Sequence, residues 1–304
     1  SAASDVYKRQ MKTRAAGAST RSGIPSTDEV LSILGAYDFE RVFPVDSRTE
    51  EKSREAGLHL WYLVRFDKNT DLKEAMERLS GLGEISKLQI NPAIQRAYNP
   101  KKKPVPVSEA ALNRMRTRAA ADNGFKFNDA LLPHQWGYIN RGAYDFATEK
   151  APAIVGSDVN CEEAWELCTG DPEIIVAVLD EGVMYTHEDL TANMWVNEKE
   201  QVGSDQDNDG NGYKGDRYGY NFVKDNGNIS WQAAEDTGHG THVAGTIAAV
   251  NGNNIGVCGI AGGDGTKKGV RIMSCQVFDG DGQVRMVNEA RAIKLSLIHI
   301  SEPT

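Results

Sequence analysis

Long apolar runs are missing from this 304-residue chain, and no stretch approaches the length of a membrane-spanning helix. An excess of basic charge is missing too. Thirty-four Lys and Arg face 43 Asp and Glu, a net charge of −9, which argues against a nucleic-acid binder. Cysteine is scarce. The four thiols have no Cys-x-x-Cys spacing, so a zinc site of that type is excluded. Cys161 and Cys168, seven apart on an expected helix, would lie about 10 Å apart along its axis, too far to bridge. Cys258 and Cys275 fall in expected strands and read as buried thiols.

What the chain does have centres on Asp236-Thr-Gly-His-Gly-Thr-His-Val-Ala-Gly-Thr-Ile-Ala-Ala249. Turn chemistry around His239 passes into small apolar residues, the pattern of a tightly packed helix over 241–250 with His239 at its N-terminal mouth. Held there and open to a cleft, a histidine can serve as a general base. Its partner lies upstream. Glu173-Ile-Ile-Val-Ala-Val-Leu179 is a continuous, partly β-branched apolar run, which reads as a central parallel strand buried on both faces. A second such strand is expected over Arg271–Phe278. The first strand delivers Asp180 to its carboxyl end, where open α/β sheets place their sites. A carboxylate there can hold one nitrogen of His239, fix its tautomer and stabilise the imidazolium.

These residues resemble the subtilisin-like serine proteases. Asp180-x-Gly182 followed by His187-Glu-Asp-Leu190 matches the family's aspartate motif, and His239-Gly-Thr-His-Val-Ala-Gly245 matches its histidine motif. Glu181 departs from it, because the family usually has Ser or Thr there. The resemblance spans roughly Asp129 to Lys294. It implies a subtilisin-like parallel sheet with flanking helices, here incomplete, and a serine endopeptidase in which Asp180 orients His239. It also implies polypeptide substrates and an extracellular, periplasmic or cell-surface location. The nucleophilic serine normally sits in Gly-Thr-Ser, which occurs nowhere in this chain, and the oxyanion asparagine also lies downstream in the family. The chain as given is therefore expected to be catalytically incomplete. Rival readings are a non-catalytic binding domain on the same scaffold, and a metal hydrolase using His239, His242 and Asp180. The latter lacks the i, i+4 spacing and glutamate of zinc-protease helices, so His242 is expected to pack inside.

Two loops carry a calcium signature. Asp205-Gln-Asp-Asn-Asp-Gly-Asn-Gly-Tyr-Lys-Gly-Asp216 alternates oxygen side chains before a glycine turn, as an EF-hand loop does through its sixth position. Its candidate ligands are Asp205, Asp207, Asp209, Asn211 and Asp216. The family resemblance implies a second site, from Asp189 and Asn253 with carbonyls of Val250, Ile255 and Val257. The loop is one residue longer than in compact relatives, which leaves Asn254 as an alternative to Asn253. The turn Gly280-Asp281-Gly282 resembles the edge that pairs with an extended peptide substrate.

Residues 11–98 read as a small α/β domain resembling a subtilase pro-region, which acts as an intramolecular inhibitor. Its expected elements are a helix over Asp28–Leu34, a strand over Leu58–Phe66, a helix over Asp71–Leu82 and an extended segment over Ile85–Ala97. Residues 11–56 are otherwise polar and uninformative. A basic, Pro-rich linker and an exposed basic helix over Ser108–Ala121 fill 99–124. The catalytic segment is expected over 125–294, with a short helix from Asn160 to Gly170 feeding the first strand. The two ends stand apart. Codons can be chosen so that the DNA for Ser4–Gln10 is, over most of its length, the reverse complement of that for Leu295–Ser301. Residues 1–10 and 295–304 are thus expected to be translated sequencing adapters, and the helix from Asn288 should break off at Lys294. Transposase-free resequencing that still encodes both ends would refute this.

Overall fold

The computed structural model describes residues 21–95, 108–110, 113, 124–142, 153–232, 236–278 and 283–301. The chain divides into two compact units, Ser1–Pro92 and Ala93–Thr304. This boundary falls earlier than the one read at residue 98. The basic helix over Ser108–Ala121 and the turn Gly280–Gly282 lie largely or wholly outside the described residues.

In the first unit, α1 (Pro25–Ile33) opens on proline, whose missing N–H costs nothing in a first turn. Asp28 gathers the preceding loop, accepting from the Ser22 hydroxyl at 2.7 Å and the Gly23 N–H at 3.1 Å. β1 (Ala36–Arg41) pairs antiparallel with β2 (Tyr62–Phe66), with a register shift between Ala36 and Asp38. Helix α2 (Glu50–Glu55) and a 3₁₀ turn at Leu58–Leu60 lie between them. α3 (Leu72–Ser80) is capped by Asp71, whose carboxylate accepts from the Lys73 N–H at 2.8 Å. Leu31, Leu34, Ala75 and Leu79 form the core of this unit.

Three expectations need correcting here. The strand expected from Leu58 begins at Tyr62, because residues 58–60 coil into the 3₁₀ turn. The segment after Leu82 is irregular until β3 (Ala93–Gln95). β2 pairs with β1, which polar composition hid: Asp38 is buried and answered by Arg65, so the strand does not read as apolar alternation.

The second unit is built on a three-stranded parallel sheet in the order β4 (Ile175–Asp180), β6 (Arg271–Gln276), β5 (Gly219–Asn221). Among the described residues β6 is the middle strand and β4 flanks it, where both were expected to be central. Side chains alternate between two cores. Ile175, Met273 and Cys275 face one cluster with Trp195, Tyr213, Phe222 and Leu295. Val178 and Ile272 face another, with Ala244 and Ala248 of α5 (His239–Ala248). Burial on both faces explains the apolar run of β4; β6 is equally buried but carries Ser274 and Gln276, whose oxygens accept from the Val183 and Ser230 N–H groups. α4 (Cys161–Leu167) joins a third cluster through Cys161 and Trp165, with Phe127, Leu132 and Cys258.

β3 pairs antiparallel with β7 (Gln283–Arg285), Ile94 opposite Val284. β7 leads into α6 (Met286–Ser301), which continues past Lys294. Ala292, Leu295 and Ile298 recur at helical spacing and are buried, so the helix does not break where it was expected to. All four cysteines are free; Cys258 lies in an irregular segment rather than a strand. Burial pushes the Cys275 thiol up to about 12 and raises that of Cys258 too, so both are inert thiols.

The close approach of α5 is made at Gly240 rather than at Gly245. A Cβ on Gly240 would sit 2.2 Å from the Glu181 carbonyl oxygen, whereas one on Gly245 meets nothing within 4 Å. Gly240→Ala is therefore expected to destabilise the fold by about 1–3 kcal/mol or more. Gly245→Ala should stabilise it by about 0.5–1 kcal/mol, through reduced chain entropy. Urea titrations of both variants check the pair; equal midpoints would refute the placement of α5.

Candidate active site

Asp180 ends β4, and its backbone oxygen accepts from the N–H groups of Val277 and Phe278 at 2.9 and 3.2 Å. The strand pairing thus holds the main chain that carries this carboxylate. Opposite it, Gly238 adopts a left-handed turn (φ 78°) that a side chain would resist, and α5 begins at the next residue. His239 is thereby aimed at Asp180. Its Nδ1 lies 2.8 Å from both Asp180 carboxylate oxygens. With Asp180 ionised, Nδ1 carries the proton and donates it, leaving Nε2 as the basic nitrogen. The Asp180 side chain is 13 % exposed and the His239 side chain 38 %. The carboxylate is sheltered while the ring is within reach of a reactant.

Glu181 turns inward, and its Oε2 accepts from the Thr237 N–H, the Thr237 hydroxyl and the His239 N–H. His242 does not pack inside as expected. It is exposed, on the face of α5 turned away from Ala244 and Ala248.

Two clusters of oxygen donors lie in the loops after Asp180 and after α5. In the acidic loop, Glu200, Asp207 and Asp209 bring one carboxylate oxygen each within 4.8 Å of one another, a group that could hold a metal ion. Asp207 accepts from the Gly210 and Gly212 N–H groups, both at 2.8 Å. Glu200 was missed by sequence, since no loop spacing connects it to Asp207. Asp205 and Asp216 lie outside this group. Asp216 is buried and accepts from Asn197 and Asn211, with His299 Nε2 at 3.2 Å. Asn211 donates its amide to Asp216 at 2.8 Å and to Asp209 at 3.4 Å, and its N–H to Asp207 and Asp209, so it bridges the acidic group and Asp216 rather than offering an oxygen to the group.

The second cluster surrounds Asp189. Its Oδ1 accepts from the Asn253 amide at 2.8 Å and its Oδ2 from the Val257 N–H at 3.0 Å. Its backbone oxygen accepts from the Val250 N–H, so the loop carrying Val250, Ile255 and Val257 wraps it. Asn254 instead takes a left-handed turn, and its N–H bonds to Asn128. Burial, with Asp129 as a like charge nearby, raises the Asp189 carboxyl to about 6. Asp129 is the residue the sequence reading left out. It is 1 % exposed, burial raises its carboxyl, and its Oδ1 is buried without a hydrogen-bond partner. Two buried carboxylates and an orphaned oxygen suit a hard cation, which takes oxygen ligands and relieves the repulsion.

A carboxylate-oriented histidine at the carboxyl end of a parallel strand is an arrangement that can serve as a general base. Residues 171–299 match the family model described as the subtilase family. Over this segment the chain is similar to the subtilisin-like serine proteases. Among curated relatives, Subtilisin-like protease 1 of Plasmodium vivax is 36 % identical over 177 residues, covering 57 % of this chain and 24 % of that protein. Kexin of Saccharomyces cerevisiae is 27 % identical over 216 residues, covering 71 % of this chain and 22 % of kexin. A halolysin-like extracellular serine protease of Natrialba magadii is 37 % identical over 103 residues, 34 % of this chain and 16 % of that protein. The chain thus spans about a quarter or less of these relatives' length. Among solved structures, the Aeromonas sobria serine protease bound to its chaperone overlaps 55 % of this chain and 23 % of that one. Its TM-score is 0.39, at 25 % identity.

Proposed function

We propose that the protein carrying this chain is a serine endopeptidase of the subtilisin type, with His239 as general base and then acid, and Asp180 as its orienting carboxylate. One observation carries the reading: His239 Nδ1 lies 2.8 Å from both oxygens of a sheltered Asp180, at the sheet end where α/β sites form. In that role Nε2 takes the proton of an attacking serine hydroxyl and returns it to the leaving amine. Gly-Thr-Ser is absent from these 304 residues, and none of them is assigned as the nucleophile or the oxyanion donor.

The N-terminal unit fits the role of a pro-region. β3, the first element after Pro92, pairs antiparallel with β7, which directly follows the Gly280–Gly282 turn. The pair forms a two-stranded sheet of its own within the second unit. Calcium would be held by Asp129, Asp189 and Asn253 with carbonyls of the Val250–Val257 loop, and separately by Glu200, Asp207 and Asp209. There it would supply positive charge to buried carboxylates and rigidify the two loops, with no part in the proton transfers. The extracellular Natrialba magadii relative supports a secreted or surface protein, and among the described residues no helix is long and apolar enough to cross a membrane.

The test is peptide hydrolysis by the full-length protein, with a serine-directed phosphonyl or sulfonyl reagent. Hydrolysis abolished by the reagent is the expected result. A full-length protein that binds peptides without cleaving them would instead be a binding domain on this scaffold.

A further inference from the structure

Glu181 stands where the family resemblance implies Ser or Thr, and its surroundings give it work that a hydroxyl is too short to do. It is 1 % exposed and adjoins Asp180 in the chain. Its own N–H donates to Asp180 Oδ1 at 2.7 Å. Its carboxylate crosses to the segment that carries the histidine, where Oε2 accepts from the Thr237 N–H at 3.0 Å, the Thr237 hydroxyl at 2.8 Å and the His239 N–H at 3.2 Å. Its backbone carbonyl packs against Gly240, leaving no room for a Cβ there.

The local chain explains why such a group is needed. The first N–H groups of a helix have no partner within it, and a capping side chain normally supplies one. α5 is preceded by Gly238, which has no side chain to cap with. A carboxylate 58 residues upstream takes over, and its charge is favoured at a helix N-terminus. One residue therefore touches both halves of the pair: Asp180 through its main chain, His239 through its side chain.

We propose that Glu181 is a positioning residue, which sets the backbone of Thr237–His239 so that His239 Nδ1 is held against Asp180. This rests on the reading of Asp180 and His239 as the base pair, and it is testable without catalysis. The probe is the imidazole Nδ1 proton of His239, observed by NMR in this chain with ¹⁵N-labelled histidine and assigned by its loss in Asp180→Asn. In Glu181→Gln and Glu181→Ala, that proton is expected to exchange with solvent at least about 10-fold faster, because bonds to a charged acceptor are lost. The histidine ¹⁵N shifts should move toward a mixture of tautomers, more so in the alanine variant. Val178→Ala, in the core beneath the sheet, is the control for lost stability and should leave the proton unchanged.

An unchanged proton in folded Glu181→Ala would overturn the proposal. So would an equal change in Val178→Ala, which would make the signal a report on stability alone. If neither Glu181 variant folds, the residue serves the fold rather than His239, and the positioning role fails. A wild-type chain with no proton sensitive to Asp180→Asn would remove the base pair itself and the proposal with it.

Discussion

His239→Ala in the full-length protein is expected to lower turnover by about 10⁶-fold, the scale found when the base of such a triad is removed. In the proposed role the ring is the group that takes the proton, and alanine leaves nothing at Nε2 to accept it. Asp180→Asn should cost less, about 10⁴-fold, because the carboxylate orients the ring and stabilises its cation without moving a proton itself. KM should change little in both, since neither side chain is placed to hold the substrate's remote parts. The double variant should be hardly slower than His239→Ala alone, because groups that act as one unit do not add. The structural basis is the single geometry on which both depend, with Nδ1 2.8 Å from each carboxylate oxygen. Single-turnover kinetics on a peptide substrate checks the series. Turnover by His239→Ala within about tenfold of wild type would mean that another group is the base.

The parts of this architecture that sequence shows are those governed by local rules. β4 is readable because a strand covered on both faces is dominated by apolar residues. The mouth of α5 is readable because turn residues and small apolar residues meet there. What sequence hides depends on contacts between distant residues. β1 is obscured by Asp38, which is tolerable inside only because Arg65 meets it from β2. Gly240 and Gly245 look alike in sequence, and only the Glu181 carbonyl distinguishes them. In the acidic loop, Asp207 and Asp209 follow from their spacing, whereas Glu200 enters through the path of the preceding chain. Asp216 sits at a formal ligand position of the loop, yet it is drawn away by Asn197, Asn211 and His299. Asp129 lies 123 residues before Gly252, whose N–H it accepts, and no pattern along the chain could connect them.

In calcium-free solution, Asp189→Asn is expected to melt higher than the unaltered chain at pH 7.5, an inversion of what removing a buried acid usually does. The sign follows from the direction of the shift. The folded-state carboxyl titrates at about 6, above its ordinary value of 3.8, so the unfolded chain ionises first and ionisation favours unfolding. Below about pH 3 the group is neutral in both states and costs nothing. Between about pH 3 and 6 the penalty grows, and above that it is complete at about 3 kcal/mol. Asparagine keeps the shape without the charge, so it should raise the melting temperature by about 5–10 °C at pH 7.5 and by almost nothing at pH 3. If calcium binds as proposed, it is expected to reverse the order. A cation shared by Asp129 and Asp189 converts the repulsion into attraction, so the unaltered chain should gain stability with free calcium as linkage requires. That gain should shrink as pH falls through 6, because protons compete for the same oxygens. Asp189→Asn should show little of this response, since one of the two carboxylates is gone. Melting curves of both chains at several pH values, with calcium or with chelator, measure all four corners. If the unaltered chain is indifferent to calcium at pH 7.5, or if Asp189→Asn is the less stable form in chelator, Asp189 belongs to no cation site.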